Sequence, residues 1–126
     1  MTDERYANER FLRTKFAKQR HAARSIRGIS WTLNEEQLIQ RILDSGVCCL
    51  SGRELVFETN YITTPSLDRI DSNQGYSDAN VQWVGASVNT AKATLTNDDF
   101  IKLCADIARH NGYTVTEQQE ETLWCI

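Results

Sequence analysis

The sequence predicts an α+β fold: a small strand–turn–strand–helix unit set between amphipathic helices. Three observations carry that expectation. Residues 6–26 contain no Gly or Pro and are rich in Ala, Arg, Lys and Leu, which favours a helix. Leu38, Ile39, Ile42 and Leu43, and later Phe100, Leu103, Cys104, Ile107 and Ala108, recur at helical spacing. Between them, residues 66–71 and 80–84 are short strand-like runs joined by the turn Ser72-Asn73-Gln74-Gly75-Tyr76 and followed by a helical stretch, 86–93.

The first element is the basic helix, expected over residues 1–28 and ended by Gly28. Residues 1–29 hold eight basic and three acidic side chains, a net +5, which leaves −8 for the rest of a chain whose total is −3. A basic arm on an acidic body points to nucleic acid near the arm. Arg10, Arg13, Arg20, Arg24 and Arg27 fall along one side of the helix, a stripe suited to phosphates or simply to solvent. Phe11, Leu12 and Phe16 supply anchors on another side.

Ile29 to Leu33 is β-prone. Asn34 then caps a helix with Gln37 at the fourth position, and Asp44-Ser45-Gly46 stops it. Val47 to Leu50 and Leu55 to Phe57 can pair as a hairpin through Ser51-Gly52. Thr96 to Asp99 is a second capping box, and it starts a helix whose apolar side is expected to face the core. The central domain is expected over residues 29–112. An acidic tail, 113–126, ends in Leu123-Trp124-Cys125-Ile126 and can either dock on the domain or meet a partner.

The four cysteines form no Cys-x-x-Cys pair and there are only two His, so neither a structural zinc nor a disulfide framework is expected. Cys48 and Cys104 read as buried, reduced thiols. No apolar run approaches the roughly 20 residues of a membrane helix, and nothing near Met1 resembles a secretory signal. The expected location is the cytoplasm, with no membrane partner.

The densest polar cluster runs from Asp68 to Lys92. A strand carboxylate and a helix amide aimed at one spot are hard ligands that suit Mg²⁺ or Mn²⁺. Such an ion can bind a phosphodiester oxygen and stabilise charge on the leaving oxygen. Each residue also has a plainer reading. Asp68-Arg69 can be an ion pair, Asp71 and Asn80 can cap turns, and Asn89 can be a helix-surface amide.

The blocks Cys49-Leu50-Ser51-Gly52, Pro65-Ser66-Leu67-Asp68-Arg69-Ile70-Asp71 and Gly75-Tyr76-Ser77-Asp78-Ala79-Asn80-Val81-Gln82-Trp83-Val84, with Asn89 and Lys92, resemble the HNH (His-Me finger) endonucleases. The likeness is greatest to small phage-encoded members with a Ser-Leu-Asp-Arg-Ile-Asp segment, and it extends over about residues 15–110. It implies a ββα-metal core that hydrolyses DNA phosphodiester bonds with one divalent cation. By position, Asp68 and Asn89 would ligate the Mg²⁺ or Mn²⁺, Asn80 would brace the turn, and Lys92 would lie near a phosphate. Arg13, Arg20, Arg24 and Arg27 would grip DNA.

Two departures stand out. Relatives carry a general-base His where this chain has Arg69, and a guanidinium stays protonated at any ordinary pH. The proton would then go to Asp71, His21, His110 or bulk water, and a missing base costs about 10²–10⁴-fold in rate. The zinc knuckle of many relatives is also absent, so packing by Leu67, Ile70, Val81, Trp83 and Val84 must replace it. The expected function is therefore a phage-type DNA endonuclease or nickase. The alternatives are a catalytically silent protein of the same fold, binding DNA or a host protein in the host cytoplasm, and a DNA-binding accessory protein with no metal dependence.

Overall fold

A computed structural model describes residues 3–117 and has the α+β architecture. The elements, in order, are α1 (Asp3–His21), α2 (Glu35–Ser45), β1 (Pro65–Arg69), β2 (Val81–Gly85), α3 (Ala86–Lys92) and α4 (Asn97–His110). One π-helical segment, Ala22–Ile26, extends α1, and a 3₁₀ turn, Asp78–Asn80, leads into β2.

The local chemistry explains the boundaries. The Asn34 side chain accepts from the Gln37 amide, and Gly46 closes α2 at φ +66°, a conformation that costs a glycine nothing. The Thr96 side chain likewise accepts from the Asp99 amide to start α4. α3 ends at Ala93, a non-glycine residue at φ +50°.

β1 and β2 form an antiparallel pair in which Leu67 faces Trp83 and Asp68 faces Gln82. Strand alternation divides the pair into two sides. On the first side, α1 and α2 close the core. Leu12, Phe16, Leu38, Ile39 and Ile42 are buried with Leu67, Val81 and Trp83. Phe16 sits edge-on to both Trp31 and Trp83, with ring centres 6.0 and 5.5 Å away. The Trp83 indole N–H donates to the Leu38 carbonyl at 3.0 Å, which settles the one polar atom of that ring. On the second side lie Ser66, Asp68, Gln82 and the buried Val84, and α3 bonds there through Asn89 and Lys92.

Three expectations are corrected. The 47–57 hairpin reduces to a single bridge, Val47 with Glu54, and Ile29–Leu33 contributes only the bridge of Trp31 with Tyr76. The hairpin stops there because its backbone bonds elsewhere: the Cys49 amide donates to the Trp83 carbonyl and the Val56 amide to the Thr63 carbonyl. The third correction is α4. Asn97 is its only buried residue, and Leu103, Cys104 and Ile107 are exposed rather than core-facing. The second side of the sheet is taken by α3, and α4 reaches it through Asn97, which bonds to Gln82. Cys48, by contrast, is buried. Leu123 to Ile126, singled out in the tail, lie outside the described residues. No helix among the described residues is long and apolar enough to cross a membrane.

Candidate functional site

Asp68 is buried, and its carboxylate already has partners. Lys92 Nζ lies 3.2 Å from Asp68 Oδ2, and the Gln82 amide donates to the same oxygen at 2.9 Å. The Lys92 ammonium also donates to the Arg69 carbonyl at 3.1 Å. Gln82 and Asn97 exchange two hydrogen bonds, 2.8 Å and 3.1 Å, so the Gln82 amide group is satisfied on both sides. Lys92 has no exposed surface at all. The result is a closed network of four buried polar side chains from β1, β2, α3 and the first residue of α4. A buried charge requires this degree of pairing.

The other site residues surround this network. Asn89, one helical turn before Lys92, donates to Ser66 Oγ at 2.7 Å, two residues before Asp68 on the same side of β1. The Asn80 side chain donates to the Asp71 and Gly75 carbonyls and accepts from the Asp71 amide, so it braces the turn between the strands. Asp71 accepts from the Asn73 amide within that turn. Arg69 donates to the Gln74 carbonyl and lies over the Tyr76 ring, 5.3 Å from its centre. His21 and His110 are exposed at the C-terminal ends of α1 and α4.

The arginines of the stripe are largely engaged. On the side of α1 that faces α2, Arg13 contacts Glu9 and Glu36 at 2.6 and 2.7 Å. Those carboxylates hold its guanidinium even more firmly protonated than usual. Arg20 pairs with Glu35 at 2.6 Å, and Arg24 donates to the Trp31 carbonyl. Arg27 is exposed just beyond the π-helical segment.

On the other side of α1 the charge is uncompensated. Arg10, Thr14, Lys15, Lys18 and Gln19 line an open groove of about 820 Å³ that reaches Ser66 at the start of β1. Lys15 rests over the Phe11 ring and Arg10 over the Tyr6 ring, and neither is paired with a described carboxylate. Burial, with repulsion from Lys18, pushes the Lys15 ammonium below its ordinary value. Gln19 donates to the Leu67 carbonyl, while its Oε1 is buried without a donor.

This groove was not singled out from the sequence, and neither were Gln82 and Asn97. The available signals were a polar residue inside the apolar run Val81-Gln82-Trp83-Val84 and the angular offset of Lys15 and Lys18 from the arginines. Cys48 completes the polar inventory. Burial pushes its thiol up, but hydrogen bonding, led by Ser51, more than compensates and leaves it below the ordinary value.

No protein-family model, no curated protein and no solved structure matches this chain.

Proposed function

We propose that the chain is a DNA-binding protein on the ββα finger that its sequence resembles, and that it does not hydrolyse the DNA it binds. The observation that carries the binding is the groove, where Arg10, Lys15 and Lys18 gather without carboxylate partners beside β1. Cations clustered without carboxylate partners favour a polyanion, because each phosphate relieves their mutual repulsion and releases condensed counterions.

The non-hydrolytic half of the proposal rests on Asp68. A divalent cation fits its surroundings poorly. The Lys92 ammonium already supplies the positive charge at Oδ2, and the Gln82 amide takes the same oxygen, so a cation there would meet a buried ammonium. Arg69 cannot take a proton from water, and its guanidinium is held by Gln74 and Tyr76. The finger then serves as a rigid support for the groove, and the acidic remainder of the chain confines contact to that side.

The test is a gel shift and a plasmid-nicking assay on the same preparation, with EDTA, Mg²⁺ or Mn²⁺. Binding is expected in all three conditions, with nicking in none. Three phosphate contacts predict a slope of about −2.7 in log affinity against log salt, or about 40-fold between 50 and 200 mM. Replacing Arg10, Lys15 and Lys18 together by Ala should abolish the shift, whereas Arg13→Ala should leave it nearly unchanged. Metal-dependent nicking that disappears in Asp68→Ala would restore the nuclease reading. Binding that survives the triple replacement would remove the groove from the interface.

A further inference from the structure

We infer that the groove along α1 takes a single DNA strand rather than a duplex, with a base stacked on Phe11 and the phosphates on Arg10, Lys15 and Lys18. The inference rests on the DNA-binding reading of that groove and names the form of DNA that fits it. The sequence reads both phenylalanines of α1 as anchors, but the fold uses them differently. Phe16 is buried in the core, whereas Phe11 is half-buried and lines the groove among the cations. A phenylalanine gives an anion-binding surface no charge and no donor. What it offers is a flat π face, and Lys15 Nζ already lies 5.8 Å from the centre of that ring. A base laid on the ring takes the place of the ammonium, which moves to the phosphate that the base brings with it.

Shape separates the two forms of DNA. Ala7, Arg10, Phe11, Thr14, Lys15 and Lys18 follow at i, i+3, i+4, i+7, i+8 and i+11, so they form one face of α1. That face does not project freely from the molecule. Thr59 and Ser66 line the groove with it, so the face is one wall of a concave channel. A helix that enters the major groove of a duplex, about 12 Å wide, must present its cationic face clear of neighbours. Here the chain around Thr59 and the start of β1 occupy that space. The bases of a duplex are also stacked on one another and offer Phe11 only their edges. A single strand is narrow enough to lie in the channel, and its base faces are open. The face from Ala7 to Lys18 extends about 17 Å, the length of about five nucleotides at a stacked spacing of roughly 3.4 Å.

The test is fluorescence anisotropy with the full chain at fixed salt. The probes are an oligothymidylate of about 12 nucleotides, the same strand paired with oligoadenylate, and an abasic strand of equal length. The single strand is expected to bind about tenfold or more tighter than the duplex. Phe11→Ala should weaken the single strand by about 5- to 140-fold, the worth of one stacked base, and change the duplex by less than about twofold. The unchanged duplex binding shows that this variant is folded, and Phe11→Trp should keep the preference. The abasic strand retains the phosphates without the bases, so it should bind the wild-type chain about as weakly as the intact strand binds Phe11→Ala. Three phosphate contacts should give a salt slope of about −2.1 on the strand, shallower than about −2.7 on the duplex. A duplex or an abasic strand bound as tightly as the intact strand overturns the inference and leaves the groove as a site for duplex phosphates. So does a Phe11→Ala loss that is equal on both forms, and tighter binding of oligouridylate would reassign the groove to RNA. Failure to bind any of these probes overturns the DNA-binding reading itself and this inference with it.

Discussion

Replacing Lys92 by Met is the most direct probe of the closed network. Met keeps most of the aliphatic stem and removes only the charge and the donors. In the native chain the ammonium is fully buried, 3.2 Å from Asp68 Oδ2, and also serves the Arg69 carbonyl. Its removal leaves a buried carboxylate whose remaining side-chain donor is Gln82. Breaking a buried pair from one side costs about 3–5 kcal/mol, because the surviving charge loses its compensation. That is a large share of a domain's total stability of roughly 5–15 kcal/mol. Asp68→Asn alone should cost a similar amount, since it strands the ammonium. The double change Asp68→Asn with Lys92→Met removes both charges and keeps a hydrogen bond available to Gln82, so it should lie within about 2 kcal/mol of wild type. Urea unfolding of the four proteins gives the coupling energy directly. A loss below about 1 kcal/mol in Lys92→Met, or additive single changes, would mean that the two groups do not depend on each other as their geometry requires.

Three further outcomes are expected. Asn97→Ala removes the donor to Gln82 Oε1 and the acceptor of its amide, so chemical denaturation should show a loss of about 1–3 kcal/mol. Lys15→Gln should stabilise the fold by about 0.2–0.5 kcal/mol by ending the repulsion with Lys18, while weakening DNA binding in the gel shift. Because burial depresses the Lys15 ammonium in the folded state, its penalty is fully present below the folded value and is lifted as pH rises toward 10.5. The gain from Lys15→Gln should therefore shrink in that window. Ala93→Gly relaxes the one non-glycine residue at positive φ among those described, and thermal unfolding should show a gain of up to about 1 kcal/mol.

Much of the scaffold was legible because its causes are local. Asn34 and Thr96 cap the helices they were expected to cap, and Gly46 ends α2, since a cap needs only its own turn. Leu67, Val81, Trp83 and Val84, named from the sequence among the residues that must pack the finger, are buried. What could not be read was direction. The period of Phe100, Leu103, Cys104 and Ile107 specifies an apolar side but not what it meets, and here α4 reaches the sheet through Asn97 instead. Lys92 misled for a related reason. A lysine near the end of a short helix reads as a surface charge, and only the pairing of Asp68 with Gln82 across the strands shows that the end of α3 is inside.

The same difficulty governs the charge of α1 and decides which cations matter. Read as a list, the arm has a net +5, and the arginine stripe carries most of it. Folded, Arg5, Arg13 and Arg20 reach Asp44, Glu36 and Glu35 of α2. Each such surface pair contributes only about 0–1 kcal/mol to stability. Their larger effect is on the field, because a guanidinium with a carboxylate at 2.6–2.7 Å must give up that partner before it can serve a phosphate. Arg10, Lys15 and Lys18 face the opposite way and give up nothing comparable. The acidic start of α2 therefore acts as a filter on the basic helix. It neutralises the side that docks and leaves the side along β1 positively charged, even though the whole chain carries a net −3.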